Sequence, residues 1–181
     1  FVYSNTYKPV YKYIKFKNYI DLLEKKSTYF YLKYEDNNQF FKEINLQDDI
    51  NNFFKEITPK ISIKKTSFWM GPKNSKTPLH YDTDYINLLS LISGKKEIYL
   101  IHPKYTKYLY QSNKHHQGSN WSNIDIWNID YNKYPLAKHI QYTKIILKPG
   151  QILNIPPFYW HAVKNIDNSI AFTYHYYTLS S

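Results

Sequence analysis

Short apolar runs rich in β-branched and aromatic residues recur from Ser62 to the end of the chain, and this pattern limits the possible folds more than any other feature. Each run is long enough for one strand and too short for an ordinary helix. The runs are TSFWM, YINLLSLI, EIYLIH, TKIILK, QILNI and SIAFTYHYY. Turn dipeptides separate them, namely Gly71-Pro72, Gly94-Lys95, Pro149-Gly150 and Asn168-Ser169. This spacing predicts a β-sandwich or a β-barrel.

The N-terminal third mixes strand and helix patterns. Alternation of polar and apolar residues predicts strands at 11–17 and 27–34, and a short helix is expected between them at 18–26. Apolar residues at helical spacing predict a second helix over 47–57.

A chain of 181 residues fits one domain. We expect a single domain over residues 1–181, in which residues 1–61 support a barrel core at 62–178. The long polar stretch 111–142 interrupts the strand pattern, and a loop of this length is usually functional or contains small elements of its own.

Composition excludes several classes of site. The chain has no cysteine, which removes disulfides, thiolate zinc sites, iron–sulfur clusters and cysteine nucleophiles. It has no apolar run of 18 residues or more, so we expect no membrane-spanning helix. Without cysteine the compartment is unconstrained, and a cytoplasmic or nuclear location is the default expectation. The net charge of +10 comes from lysine without any arginine, whereas phosphate-binding surfaces favour arginine. We interpret the charge as a solvated lysine surface, with a nucleic-acid site as the alternative.

A His-x-Asp pair, His80 and Asp82 in TPLHYD, is the first candidate for chemistry. In an extended strand these two side chains point to the same face. His161, in PPFYWHAV, follows another strand-like run and could supply a third ligand. Two histidines and one carboxylate on one face of a metal are typical of non-haem Fe(II) oxygenases. Taken alone the pair is weak evidence, because chance pairs are common and most strand histidines are packed core residues.

The order of the motifs adds to this evidence. WMGPKNSKTPLHYD is followed by NLLSLISGKKEIYLIHP, by ILKPGQILNIPPFYWHAV and by a closing SIAFTYHYY. Over about residues 27 to 178 this order resembles the JmjC, cupin-like 2-oxoglutarate oxygenases, in particular the group of the factor-inhibiting-HIF, arginyl and tRNA wybutosine hydroxylases. The resemblance implies a mainly β fold, a double-stranded β-helix (jelly-roll or cupin barrel) with a few N-terminal helices. It also implies Fe(II), 2-oxoglutarate and O2 as cofactor and cosubstrates.

The resemblance assigns roles to seven residues. His80, Asp82 and His161 match the iron ligands. Lys96, in a Gly-x-Lys step, matches the lysine that binds the distal carboxylate of 2-oxoglutarate. Thr77 and Tyr31 match hydroxyl donors to that carboxylate, with Tyr29 and Tyr34 as alternatives to Tyr31. Asn87 matches an asparagine near the iron-bound end of the cosubstrate. A buried dicarboxylate needs such a cation and such donors in any protein. The alternatives are a surface lysine, a core-edge threonine and a packed tyrosine.

Two positions depart from the pattern of the family. Asn87 lies one residue further from His80 than in the nearest members of the group, which places an extra residue in TDYI at 83–86, as a bulge or a longer turn. His175 falls where some relatives have an asparagine, so it is either a group beside the ligands or a rival ligand. The adjacent pair His115-His116 is a weak metal candidate because neighbouring residues on a strand face opposite ways.

The resemblance implies an Fe(II)- and 2-oxoglutarate-dependent hydroxylase that releases succinate and CO2. A protein side chain is the expected substrate, and an RNA base is the alternative. A catalytically silent, cupin-like binding module is a hypothesis from a different class. We expect a monomer that binds a protein or peptide substrate and no membrane.

Overall fold

The computed structural model describes residues 2–3, 9–10, 13–25, 31–36, 61–82, 86–112 and 120–178. Eleven strands, one α-helix and two 3-10 helices lie in this part of the chain. In chain order they are β1 (Val2–Tyr3), β2 (Pro9–Val10), α1 (Phe16–Glu24), β3 (Leu32–Asp36), β4 (Ile61–Gly71), β5 (Lys76–His80), β6 (Ile86–Ser93), β7 (Lys96–Ile101), the 3-10 helices Pro103–Tyr108 and Pro135–His139, β8 (Thr143–Leu147), β9 (Ile152–Ile155), β10 (Trp160–Asn165) and β11 (Ser169–Thr178).

Two antiparallel sheets face each other. One has the strand order β5-β10-β7-β8, and the other has the order β3-β4-β11-β6-β9. From β4 to β11 the chain changes sheet at every connection except the one between β7 and β8. Strands that are distant in sequence therefore become neighbours, as in a jelly roll. The fold is the mainly β double-stranded β-helix that the sequence predicts.

Alternation along the strands places the core between the sheets. Successive residues of β5 switch between buried and partly exposed, as expected when one face of a strand packs inward, and β7 is buried on both faces at Ile98 and Tyr99. One apolar cluster surrounds Leu79, Ile101 and Trp160, and a second surrounds Leu91 and Ile98. The Trp160 indole N–H donates to Thr106 Oγ1 at 2.8 Å, so this buried ring has a partner for its polar atom. Trp160 is thus a core residue of the four-stranded sheet.

The N-terminal predictions are only partly correct. The strand expected at 11–17 is wrong over its described part, because residues 13–15 have no regular structure and α1 begins at Phe16. Helical packing prevails here because Tyr19 is buried and its hydroxyl donates to the carbonyl of Met70 at 2.8 Å. The helix expected at 18–26 is confirmed with a shift of two residues. Of the strand expected at 27–34, residues 27–30 lie outside the described part, and β3 covers Leu32–Asp36. The helix expected at 47–57 also lies outside the described residues.

The stretch 111–142 contains small elements rather than a long strand. It includes the 3-10 helix Pro135–His139 and two isolated bridges, from His80 to Trp121 and from Gln111 to Ser122. Residues 113–119, including the pair His115-His116, lie outside the described part, as does most of TDYI. Across the described residues, no helix has the length and apolar character needed to cross a bilayer.

Candidate metal and cosubstrate site

Three side chains that can bind a metal meet at one end of the four-stranded sheet. His80 ends β5, Asp82 follows two residues later, and His161 lies opposite His80 in the pairing of β10 with β5. The two imidazole centroids are 4.2 Å apart, and His161 Nε2 lies 3.7 Å from Asp82 Oδ2. One potential ligand atom from each of the three lies within 4.8 Å of the others. This set is the one expected from the sequence.

Backbone carbonyls orient both histidines. His80 Nδ1 lies 2.8 Å from the carbonyl of Pro78, and His161 Nδ1 lies 3.1 Å from the carbonyl of Tyr159. Because a carbonyl only accepts, each Nδ1 must carry a proton, so in the neutral form of each ring the lone pair lies on Nε2. A neutral imidazole held in this way is ready to bind a metal.

The electrostatic environment favours the ligand forms of His80 and Asp82. Burial, and then the neighbouring His161, lower the pKa of His80 to about 4, so its imidazole is neutral at physiological pH. Burial opposes ionisation of Asp82, but the nearby histidines, His161 first, outweigh it and hold the pKa of this carboxyl well below its usual range. Asn87 Nδ2 also donates to Asp82 Oδ2 at 3.0 Å. A carboxylate and two imidazoles, in the neutral form that a metal binds, suit a divalent transition metal.

Residues next to the ligands are firmly held. The Trp121 ring stacks on His80 with 4.5 Å between centroids, and the backbone N–H of Tyr81 donates to the carbonyl of Asn120. On another side, Phe158 N–H donates to the carbonyl of Asp82 at 2.9 Å. Phe158 has a φ of 64°, in the left-handed region that bulky residues rarely adopt. Strained residues of this kind cluster at functional sites.

A cavity that is partly open to solvent lies against the three ligands. Leu89, Ile155 and Val163 give it an apolar wall. The remaining lining residues are polar or aromatic: Tyr31, Lys33, Trp69, Thr77, His80, Asp82, Asn87, His161, Thr173 and His175. An apolar cavity with a few convergent polar groups is the usual form of a small-molecule site.

Lys96 does not line this cavity itself but contacts a lining residue, Tyr31, through a hydrogen bond. Its side chain is 0 % exposed, and its Nζ donates to Tyr31 Oη at 2.5 Å and to Asn165 Oδ1 at 2.7 Å. Burial lowers the pKa of Lys96 to about 7. Among the described residues no carboxylate forms an ion pair with Lys96. A buried ammonium without a counter-charge is costly, so this position suits an anionic ligand that approaches beside Tyr31.

The residues present therefore fit iron(II) and a dicarboxylate. The metal would take its ligands from the Nε2 atoms and from Asp82, and these leave the cavity side open. Asn87 offers a group that neither the metal nor the dicarboxylate satisfies, since its Oδ1 is buried and has no hydrogen-bond partner among the described residues. An orphaned acceptor beside a cavity calls for a donor from outside the protein, such as a water or a substrate group.

Six of the seven predicted site residues line one cavity, and the seventh, Lys96, reaches it through Tyr31. Thr77 is buried on β5 and faces the same space. His175 also lines it, and it is not part of the three-residue cluster with metal-binding geometry. Trp69 lines the cavity as well.

Sequence reasoning missed Lys33 and Asn165. Lys33 lies two residues after Tyr31 and lines the cavity, whereas Asn165 holds the ammonium of Lys96. The signal for Lys33 was available, since residues i and i+2 on a strand share a face. No local signal points to Asn165, because its contact depends on the pairing of β10 with β7.

Comparison with known proteins agrees with this geometry. The chain matches the family described as the cupin-like domain over residues 3–181. It is 44% identical to JmjC domain-containing protein D of Dictyostelium discoideum over 103 residues, which are 57% of this chain and 23% of that protein. It is 29% identical to human HSPB1-associated protein 1 over 158 residues, which are 87% of this chain and 30% of that protein.

A third relative is the Arabidopsis thaliana protein named lysine-specific demethylase JMJ30, which is 30% identical over 142 residues. That alignment covers 78% of this chain and 33% of the relative. The chain thus spans between about a quarter and a third of the length of these relatives. With the match over nearly its whole length, and with a jelly roll that carries a His-Asp-His cluster, the chain belongs to the cupin-like JmjC domain family of 2-oxoglutarate oxygenases.

Proposed function

We propose that this domain is an Fe(II)- and 2-oxoglutarate-dependent hydroxylase that acts on a protein side chain. The observation that carries the proposal is the arrangement of His80, Asp82 and His161, with both Nε2 atoms available and one side open to the cavity. When bound, iron(II) together with 2-oxoglutarate and O2 supplies the oxidant for a C–H bond, with succinate and CO2 as coproducts.

In this proposal the residues of the chain bind and orient. His80, His161 and Asp82 hold the metal, and the carbonyls of Pro78 and Tyr159 keep the imidazole rings in the ligand tautomer. Asn87 fixes the carboxylate of Asp82 through its amide N–H. These contacts limit the freedom of the ligands before the metal arrives, which favours a single coordination geometry.

At the other end of the cavity, Lys96 supplies the charge for the distal carboxylate of the cosubstrate. Tyr31 and Thr77 supply hydroxyl donors, and the hydroxyl of Tyr31 already contacts Lys96 Nζ. A charge-assisted hydrogen bond to a carboxylate is about twice as strong as a neutral one. Burial of Lys96 in a weakly polar environment strengthens its attraction to an anion further.

The test is anaerobic addition of 2-oxoglutarate to the Fe(II)-loaded protein, read as the visible metal-to-ligand charge-transfer band. We expect the band in the wild-type protein, its loss in His80→Ala and a requirement for more 2-oxoglutarate in Lys96→Met. His139→Ala is the matched control, because His139 is exposed and lies outside the cavity. Iron binding without the band would refute the cosubstrate site. Absence of iron binding would favour the silent binding module.

The substrate class needs a separate experiment. The Arabidopsis relative is named a lysine-specific demethylase, which supports a protein substrate for this domain as well. Mass spectrometry of peptides after turnover would distinguish a gain of one oxygen, expected for stable hydroxylation, from the loss of a methyl group. If RNA were the substrate, binding would instead fall steeply with salt concentration.

A further inference from the structure

Lys33 is a cation at the cavity that the proposed cosubstrate site does not use. It lies on β3, at the outer edge of the five-stranded sheet, directly opposite Trp69 of β4. Its Nζ lies 4.9 Å from the centroid of the Trp69 ring, within the range of a cation–π contact. Both side chains line the same cavity as His80, Asp82 and His161. This lysine therefore places a positive charge within reach of the reaction centre.

The two lysines occupy different depths. Lys96 is completely buried and meets the cavity only through Tyr31, whereas Lys33 is partly exposed and lines the cavity itself. The buried position suits a ligand that is enclosed, as the cosubstrate is. The partly exposed position on an edge strand suits a group that arrives from solvent with the substrate.

The ring of Trp69 fixes the location of this charge. Its indole N–H donates to Thr173 Oγ1 at 2.9 Å, and its face packs near Tyr31 with 5.3 Å between ring centroids. A lysine that lies over a fixed aromatic ring loses less side-chain freedom on binding than a fully solvated lysine. A carboxylate at this position would form a charge-assisted hydrogen bond in a partly dehydrated space.

We propose that Lys33 is a specificity-determining residue that binds an acidic side chain of a peptide substrate, so that the domain selects aspartate or glutamate at or beside its target residue. This inference rests on the proposed hydroxylase function. A cavity with the apolar wall of Leu89, Ile155 and Val163 and one cation at its mouth matches an amino-acid side chain better than an RNA backbone. Phosphate binding also favours the arginine fork, and the chain has no arginine.

The experiment uses two pools of eight-residue peptides that differ only at a central position, which is Asp or Glu in one pool and Asn or Gln in the other. The readout is the indole ¹⁵N–¹H NMR signal of Trp69, assigned with Trp69→Phe, in protein loaded with Zn(II) and 2-oxoglutarate. The chain has only four tryptophans, so the signal is resolvable. We expect the acidic pool to shift the signal at lower concentration than the neutral pool.

Three variants test the role of the charge. Lys33→Met should weaken binding of the acidic pool on the order of tenfold, the effect of losing one charged hydrogen bond. Lys33→Arg should retain the preference because it keeps the charge, and Lys95→Met should bind as the wild type does. Lys95 is a matched control because it is an exposed lysine outside the cavity.

Several results would overturn the inference: an equal response to both pools, no response to the acidic pool, or an unchanged preference in Lys33→Met. A response to a short oligouridylate in place of the peptides would also overturn it, in favour of RNA. If Lys33→Met lost affinity for 2-oxoglutarate as Lys96→Met does, Lys33 would serve the cosubstrate instead. The charge-transfer band of the wild-type protein decides the hydroxylase function separately, so the two failures are distinguishable.

Discussion

Replacement of the buried lysine by methionine, Lys96→Met, should remove a pH dependence of stability that the wild-type protein shows without ligand. The pKa of Lys96 is about 7 in the folded protein, whereas its ordinary value, which applies to the unfolded chain, is 10.5. Between these values the unfolded chain binds more protons than the folded one, so the free energy of unfolding rises with pH. The stability that the neutral form of Lys96 contributes is fully present above pH 10.5 and is lost as the pH falls through 7.

The size of the effect follows from the shift. One pKa unit corresponds to about 1.4 kcal/mol. The lysine is half protonated in the folded state near pH 7, so the free energy of unfolding should rise by about 2 kcal/mol from pH 7 to pH 9. Methionine has no proton to lose, and Lys96→Met should therefore lack this rise. The lost hydrogen bonds to Tyr31 and Asn165 lower its stability by an amount that varies little with pH.

The assay is equilibrium urea denaturation of metal-free protein at pH 7, 8 and 9, with the difference between wild type and variant taken at each pH. Lys95→Met is the control, because Lys95 is the exposed neighbour of Lys96. The free energy of unfolding of this control should change with pH as that of the wild type does. A constant difference between wild type and Lys96→Met across the three pH values would refute the reasoning. It would mean that the ammonium of Lys96 is solvated or paired in solution.

Two further predictions concern the surroundings of this lysine. Asn165→Leu should lower the free energy of unfolding by about 2 kcal/mol in urea denaturation, because it removes the acceptor of buried Lys96; a loss below about 0.5 kcal/mol, the usual size of a surface effect, would contradict this. Gly71→Ala should weaken binding of 2-oxoglutarate in calorimetric titration, because its Cβ would lie 2.1 Å from a ring carbon of Tyr31. Gly150→Ala, with φ of 81° and no atom within 4 Å, should leave that affinity unchanged, and equal losses would contradict the role of Tyr31.

The parts of the fold that could be predicted are those that depend on patterns of residues close together in sequence. Alternation of side chains locates the strands, and the i, i+2 spacing of His80 and Asp82 puts both on one side of the chain at the end of β5. The third member of the cluster, His161, could be predicted only from the order of motifs along the chain, since no residue near it in sequence indicates that it lies beside β5. The structure places it opposite His80.

The parts that could not be predicted depend on which strands become neighbours. Lys33 meets Trp69 only because β3 adds to the edge of the sheet beside β4, and Asn165 meets Lys96 only because β10 pairs with β7. Local alternation also fails at the start of α1, where Phe16 belongs to a helix rather than to the expected strand. There the burial of Tyr19 against Met70 outweighs the strand preference of the aromatic residues.

The position of the ligands on β5 and β10 has a consequence for folding. Four other strands, β6 to β9, lie between them along the chain, and they cross from one sheet to the other before β10 pairs with β5. The ligands therefore come together only after this long stretch has closed, a step that carries a loop entropy cost. A metal that binds the completed cluster stabilises the folded chain by mass action and leaves partly assembled barrels without this gain. The ion would thus stabilise the closed barrel in addition to serving as the centre of its chemistry.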